Sequence, residues 1–334
     1  MGQVGKREHT SFGATVVNIA GMHTLAGAPE FKSFKVTPVT PRLGGMIEGI
    51  HLSELDDESA TELREALWHY GVLFAKEQFL TPEQQINVGR WFGDELEKHT
   101  FAKTLAESGY PELLVIEKYE SDKSKTTTDI WHHDVTGRKH PNIASVLQAD
   151  EVPFGADTMW SSASAAYENL PFALKLMFLN IDVDHDSAYM VLRHDFGDSS
   201  TAAGKMLELG EANTHPAVVN HPFTDKLCLF VGNGYVKRVQ GYTAEMSDLV
   251  LKIANEQPKL PEFQVRYQWG KGDVAIWDNF GTVHYGVTAD VGNQLRRLHR
   301  VAAWSKKVTP TLDRKKAVRE LLQTQQEISA RIEG

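Results

Sequence analysis

Trp131-His132-His133-Asp134 sets a histidine and an aspartate two residues apart. In extended backbone such residues project to one face, so His132 and Asp134 can converge on a common point while His133 turns away. An imidazole and a carboxylate together suit a divalent metal. Two ligands from one segment need a third from elsewhere, and a non-haem iron site asks for a second histidine while leaving positions open for reactants. Read alone, the triplet is weak evidence, and a polar loop after a strand explains it better. A second segment, far along the chain, strengthens the metal reading: Gly272-Asp273-Val274-Ala275-Ile276-Trp277-Asp278-Asn279, then Thr282-Val283-His284-Tyr285, then Arg296-Arg297-Leu298-His299-Arg300.

The elements that must position these residues are mostly short. Lys35–Val39 reads as a strand. Ser53-Glu54-Leu55-Asp56-Asp57 opens a helix with Leu63, Leu67 and Tyr70 at helical spacing, Gly71 stops it, and Val72–Ala75 follows as a buried strand. Thr81-Pro82-Glu83-Gln84 carries a capping threonine, a first-turn proline and a glutamine three positions on, so a helix is expected from there to about Phe92. Beyond residue 112 the pattern turns to strands, clearest at Leu113–Ile116, Ile143–Leu147, Phe263–Tyr267 and Asp273–Trp277. Helices are expected at 164–178 and 244–255, and a long polar one at 311–332 with Leu321 and Leu322 on its apolar side. Without repeats or linkers, this reads as one antiparallel β core with flanking helices, an α+β fold.

Composition narrows the function. A net charge of −9 argues against nucleic acid or an anionic membrane as partner. No stretch reaches the roughly 20 apolar residues of a membrane span. The N-terminal residues lack the apolar run of a signal peptide, so a cytoplasmic location is expected. Cys228 is the sole cysteine, which excludes an internal disulfide and a thiolate metal cluster; in Leu227-Cys228-Leu229-Phe230 it reads as core.

Four motifs in order, Trp131 to Thr136, Ala156 to Trp160, Asp278 to Tyr285, and Arg296 with Arg300, resemble the taurine dioxygenase and 2,4-dichlorophenoxyacetate dioxygenase family, over about residues 35–305. The resemblance implies a double-stranded β-helix (jelly roll) over 34–308; the Gly-rich, polar residues 1–33 read as an arm or partly ordered leader before it, and 309–334 as a helix after it. It implies iron(II) held by His132, Asp134 and His284, and 2-oxoglutarate and O2 as co-substrates. Arg296 matches the arginine on the distal carboxylate of 2-oxoglutarate, and Thr158 the hydroxyl beside it; a guanidinium fork fits a carboxylate. The implied reaction decarboxylates 2-oxoglutarate to succinate and hydroxylates a second substrate. The retained Asp134 favours hydroxylation over halogenation.

For that substrate, Arg300 matches the family's anion-gripping arginine, His99 a histidine of the same pocket, and Tyr235 an aromatic lining it. A sulfonate, sulfate ester or carboxylate is expected. Ala102 and Thr128 stand where the taurine enzymes have tyrosine and asparagine, which points to a larger or less polar body. His133, His140, His185, His194, His215 and His221 match no role, although His194 lies in a stretch that could cover the site. The family's habit is a homo-oligomer, dimer or tetramer. Competing readings are a biosynthetic oxygenase acting on a carboxylate-bearing intermediate, a catalytically inactive jelly-roll binder, and a metal-dependent hydrolase.

Overall fold

The computed structural model describes residues 25, 27–99, 103–118, 129–193, 211–232, 234–287 and 294–333. Its strands are β1 Lys35–Pro38, β2 Gly45–Glu48, β3 Val72–Ala75, β4 Glu95–Leu96, β5 Thr104–Leu105, β6 Tyr110–Lys118, β7 Ala144–Glu151, β8 Thr158–Ser162, β9 Asp182–Asp186, β10 Ala212–Pro216, β11 Val218–Asn220, β12 Leu227–Leu229, β13 Val236–Val239, β14 Gln264–Tyr267, β15 Val274–Asp278, β16 Thr282–Gly286 and β17 Arg296–Trp304. The helices are α1 Asp57–Tyr70, α2 Pro82–Arg90, α3 Ala163–Glu168, α4 Phe172–Leu179, α5 Ser187–Arg193, α6 Ala244–Glu256 and α7 Arg314–Glu333.

A nine-stranded sheet runs in the order β1-β2-β3-β15-β7-β17-β6-β5, with β4 also on β17. Helices α1 and α2 lie on one face, where Leu63, Leu67, Ile86 and Val88 pack with Leu73, Val146, Ile276 and Val301. The other face packs on a smaller sheet, β14-β8-β16, through Trp160, Val265 and Tyr267 against Phe74, Leu147 and Trp277. Phe74 and Tyr267 stack across this interface with centroids 4.2 Å apart. Covering on both faces explains why Val72–Ala75 and Val274–Asp278 are apolar without alternation. A further core gathers α3, α4, α6, β9 and β11–β13.

Helix starts follow the expected chemistry. Asp56 and Thr81 form capping boxes with Ser59 and Gln84, and Pro82 takes the first turn of α2. Gly71 ends α1 at φ 71°, a conformation that favours glycine. Three expectations need correction. The single helix at 164–178 is two, because Pro171 opens α4 and has no N–H to continue α3. In α7, Ala317 and Leu321 pack on the further core, but Leu322 is exposed. The stretch from Trp131 to Asp134 is not a strand; one bridge, His132 with His284, ties it to β16, and Val135 turns away at φ 45°. Leu25, Phe31 and Phe34 pack on the main core. No described helix is long and apolar enough to cross a membrane.

Candidate active site

β16 and the loop before β7 meet at the His132–His284 bridge, where the two residues exchange backbone hydrogen bonds at 3.1 and 2.9 Å. Asn279, fully buried, fixes the loop: its carbonyl accepts from the Asp134 N–H at 2.7 Å, and its amide donates to the Asp134 and Asn142 carbonyls. His132, Asp134 and His284 thereby bring one ligand atom each within 4.8 Å of one another. The Nε2 atoms of His132 and His284 lie 3.9 and 3.7 Å from Asp134 Oδ1. His132 Nδ1 sits 2.7 Å from the Ile130 carbonyl, which can only accept, so Nδ1 carries the proton and Nε2 offers a lone pair to the cluster.

Electrostatics prepares the same donors. Burial pushes both imidazoles below their usual range, further than Asp134 raises them, so both are neutral at pH 7. Burial would raise Asp134, but the Arg300 guanidinium, paired and hydrogen-bonded to it, holds it well below the usual carboxylate range. Two neutral imidazoles and one carboxylate, converging and buried, are the donor set of a divalent transition metal.

Arg296 on β17 is a half-buried cation with little to hold among the described residues. Its one hydrogen bond is a long donation from Nε to the Ala156 carbonyl at 3.4 Å, and it has no ion pair among the described residues. Burial pushes it down to about 10, only partly offset by Asp157. Thr158, two residues after Ala156, accepts from Trp269 Nε1 at 3.0 Å, which leaves its hydroxyl hydrogen free to donate. A half-buried guanidinium with one long hydrogen bond among the described residues, on the strand segment that also approaches Ala156–Thr158, has the chemistry to pair with an anion.

Arg300, four residues along β17, is richly paired. It donates from Nη1 to Asp134 Oδ1 at 2.7 Å and from Nη2 to Glu97 Oε2 at 3.3 Å. Glu97, itself buried, also lies 2.8 Å from Arg138 Nη1 and 3.7 Å from His99 Nε2, and accepts from Asn142 Nδ2 at 3.1 Å. Tyr235 is buried against Val135 and Met190, close enough to Asp134, Glu97 and Arg300 for their charges to act on its hydroxyl.

A family model described as "Taurine catabolism dioxygenase TauD, TfdA family" matches residues 35–302. The chain belongs to this family. It is 32% identical over 283 residues to an alkylsulfatase of Acinetobacter baylyi, covering 81% of this chain and 84% of that one. It is 30% identical to an alpha-ketoglutarate-dependent sulfate ester dioxygenase of Pseudomonas putida, covering 83% and 91%. The crystal structure of a taurine dioxygenase from Burkholderia xenovorans superposes with a TM-score of 0.68 at 30% identity, covering 82% of this chain and 91% of that one. This TauD/TfdA protein is accordingly a 2-oxoglutarate-dependent dioxygenase.

Of the residues singled out from sequence, His132, Asp134 and His284 come together, Arg300 meets Asp134 directly, and His99 and Tyr235 border the same charged group. Arg296 and Thr158 lie at Ala156–Thr158 instead. Ala102, Thr128 and His194 are outside the described residues. Sequence reading missed Glu97, Arg138 and Asn279. Glu97 alternates with His99 in Glu-Lys-His and Asn279 follows Asp278 in a motif already noted, so both carried a signal; Arg138, four residues after Asp134, carried only its charge.

Proposed function

We propose that this dioxygenase binds iron(II) through His132, Asp134 and His284, binds 2-oxoglutarate through Arg296 and Thr158, and hydroxylates a small organic acid. Its two packed sheets we assign to a double-stranded β-helix over 34–308, with 1–33 and 309–334 as appendages to that domain. The observation that carries the reading is the convergence of three metal-ligating atoms within 4.8 Å in a buried site where both imidazoles are neutral. Bound iron supplies oxygen activation coupled to decarboxylation of the 2-oxo acid. The chain's own residues do the rest. Arg296 offers its guanidinium fork to the distal carboxylate and Thr158 donates its hydroxyl beside it, while Ser145 Oγ donates to Asp134 Oδ2 at 3.2 Å and keeps that side chain aimed. The apolar wall of Val135, Met190 and Tyr235 keeps water away from the reacting bond.

The substrate class we propose is an anion: a sulfate ester, sulfonate or carboxylate whose head lies towards Arg300, with His99 and Tyr235 lining its pocket. Support comes from a buried arginine beside the metal ligands and from relatives named for sulfate esters and sulfonates. A homo-oligomer and a cytoplasmic location complete the reading.

The test is an anaerobic visible spectrum of the protein with iron(II) and 2-oxoglutarate. A weak charge-transfer band is expected, absent in His132→Ala and diminished in Arg296→Ala. Iron bound without any band in the wild-type protein would refute the assignment of the co-substrate.

A further inference from the structure

The region around Arg300 holds an anion of the protein's own. Glu97 is flanked on both oxygens: Arg138 Nη1 stands 2.8 Å from Oε1 as an ion pair without hydrogen-bond geometry, and Oε2 accepts from Arg300 at 3.3 Å and Asn142 at 3.1 Å. Burial would raise its carboxyl, yet Arg300 first, then His99 and Arg138, hold it below the usual range, so it is ionised. The second carboxylate of Arg300 is Asp134 at 2.7 Å, and that of Arg138 is Glu211 at 3.1 Å. Two guanidinium groups thus face three carboxylates, and on Arg300 both terminal nitrogens are taken, Nη1 by Asp134 and Nη2 by Glu97, while Nε has no hydrogen-bond partner among the described residues. An anionic head reaching Arg300 Nη2 meets a terminal nitrogen already paired with Glu97, in a buried setting where two like charges side by side are disfavoured.

We infer that Glu97 is a specificity-determining internal anion: it occupies the head-group position on Arg300, and an anionic substrate binds there by displacing it. The contacts supply a destination for the displaced carboxylate. Arg138 and Asn142 both hold Glu97 independently of Arg300, so the side chain gives up one partner and keeps two. The arrangement explains why a buried acid stands in a pocket otherwise suited to anions. It discriminates by exchange: a head that takes fewer hydrogen bonds from Arg300 than Glu97 does is rejected, and one with several terminal oxygens, such as sulfate or sulfonate, is favoured over a neutral group. Arg138 acts through Glu97 as a positioning residue. The inference rests on the anionic substrate class proposed above.

The experiment is calorimetric titration of hexyl sulfate into the protein loaded with iron(II) and 2-oxoglutarate without oxygen. Removing the charge but not the shape, Glu97→Gln, is expected to tighten hexyl sulfate about tenfold, the scale of one charge-assisted hydrogen bond. Arg138→Gln leaves the Glu97 carboxylate leaning on Arg300 and is expected to weaken it severalfold. A merely structural Glu97 gives the opposite result for Glu97→Gln, because an unanchored Arg300 binds less well. Unchanged or weaker binding in Glu97→Gln overturns the inference, as does an absence of binding in every protein. Should Glu97→Gln fail to fold, unchanged or tighter binding in Arg138→Gln overturns it instead. The charge-transfer band is recorded on the same samples. Its absence counts against the co-substrate reading, while the ratio of affinities still decides the role of Glu97.

Discussion

Arg296 and Asn279 show what single residues contribute and at what expense. Arg296 is a half-buried guanidinium with a single long hydrogen bond among the described residues, a placement that costs stability unless an anion joins it. Arg296→Met should therefore stabilise the ligand-free protein by about 1–3 kcal/mol and weaken 2-oxoglutarate by about 10- to 150-fold, the loss of charge-assisted hydrogen bonds. Urea unfolding and a 2-oxoglutarate titration read the two effects separately; a variant that lost stability along with affinity would show Arg296 to be structural. Asn279 is the opposite case, a residue at 0% exposure with three hydrogen bonds to the metal-binding loop. Asn279→Ala orphans the buried Asp134 N–H, which should lower stability by about 1–3 kcal/mol, with iron affinity falling in parallel. Equal iron affinity in wild type and variant would remove Asn279 from the site. At this scale the cluster of His132, Asp134 and His284 was legible as a candidate, because metal binding restricts residue type. Glu97 and Arg138 were not assigned, since their meaning lies in contacts with each other and with Arg300, from distant parts of the chain.

Elements were legible where local chemistry decides them. The capping boxes at Asp56 and Thr81, the stop at Gly71 and the doubly buried strands β3 and β15 all follow from residues within a few positions. What was misread depends on context: Pro171 breaks a run whose apolar spacing continues through it, and Trp131 to Asp134 alternates like a strand although only one bridge forms. The loop that carries His132 and Asp134 is instead moulded by what it packs on. A side-chain carbon at Gly137 would stand 2.4 Å from Ser187 Oγ, 2.7 Å from the Glu211 carbonyl oxygen and 2.9 Å from the Ser187 nitrogen, so the loop after Asp134 seats directly on the start of α5 and the residue before β10. Backbone cannot yield there as a flexible side chain could. Gly137→Ala should lower stability by about 1–3 kcal/mol, the usual range for an overpacked site, and should reduce iron affinity because the displaced loop carries Asp134. Unaltered melting and metal binding would mean that this contact does not set the loop's position.

Across the whole molecule, strand order was not legible, because neighbours such as β3, β15 and β7 lie far apart in sequence and pairing is set by which faces the helices and the smaller sheet can cover. A second property of the assembled fold is its group of buried histidines behind the metal-binding loop. His133 Nδ1 donates to the Asn279 backbone carbonyl at 2.8 Å, His185 Nδ1 meets Thr136 Oγ1 at 2.8 Å, and His215 Nε2 lies 3.0 Å from the Thr136 carbonyl. His185 and His215 rings are 5.0 Å apart, with Phe230 against both. Burial pushes His133 down to about 4, and His185 and His215 also below their usual value. In the unfolded chain each takes a proton near 6.5. Between about 4 and 6.5 the unfolded state therefore binds more protons than the folded one, and stability rises with pH across that window and falls as the solution is acidified. The depressed carboxylates Asp134 and Glu97 act in the same direction but only near and below the ordinary carboxylate range, so pH 5 to 6.5 belongs to the histidines. Each histidine adds at most about 1.4 kcal/mol per pH unit. Urea unfolding at pH 5, 6 and 7 should show the midpoint dropping on the acid side, and His185→Gln, which keeps a neutral group facing Thr136, should flatten that slope by one histidine's share. Parallel slopes in the two proteins would mean that His185 takes up its proton without opening the core.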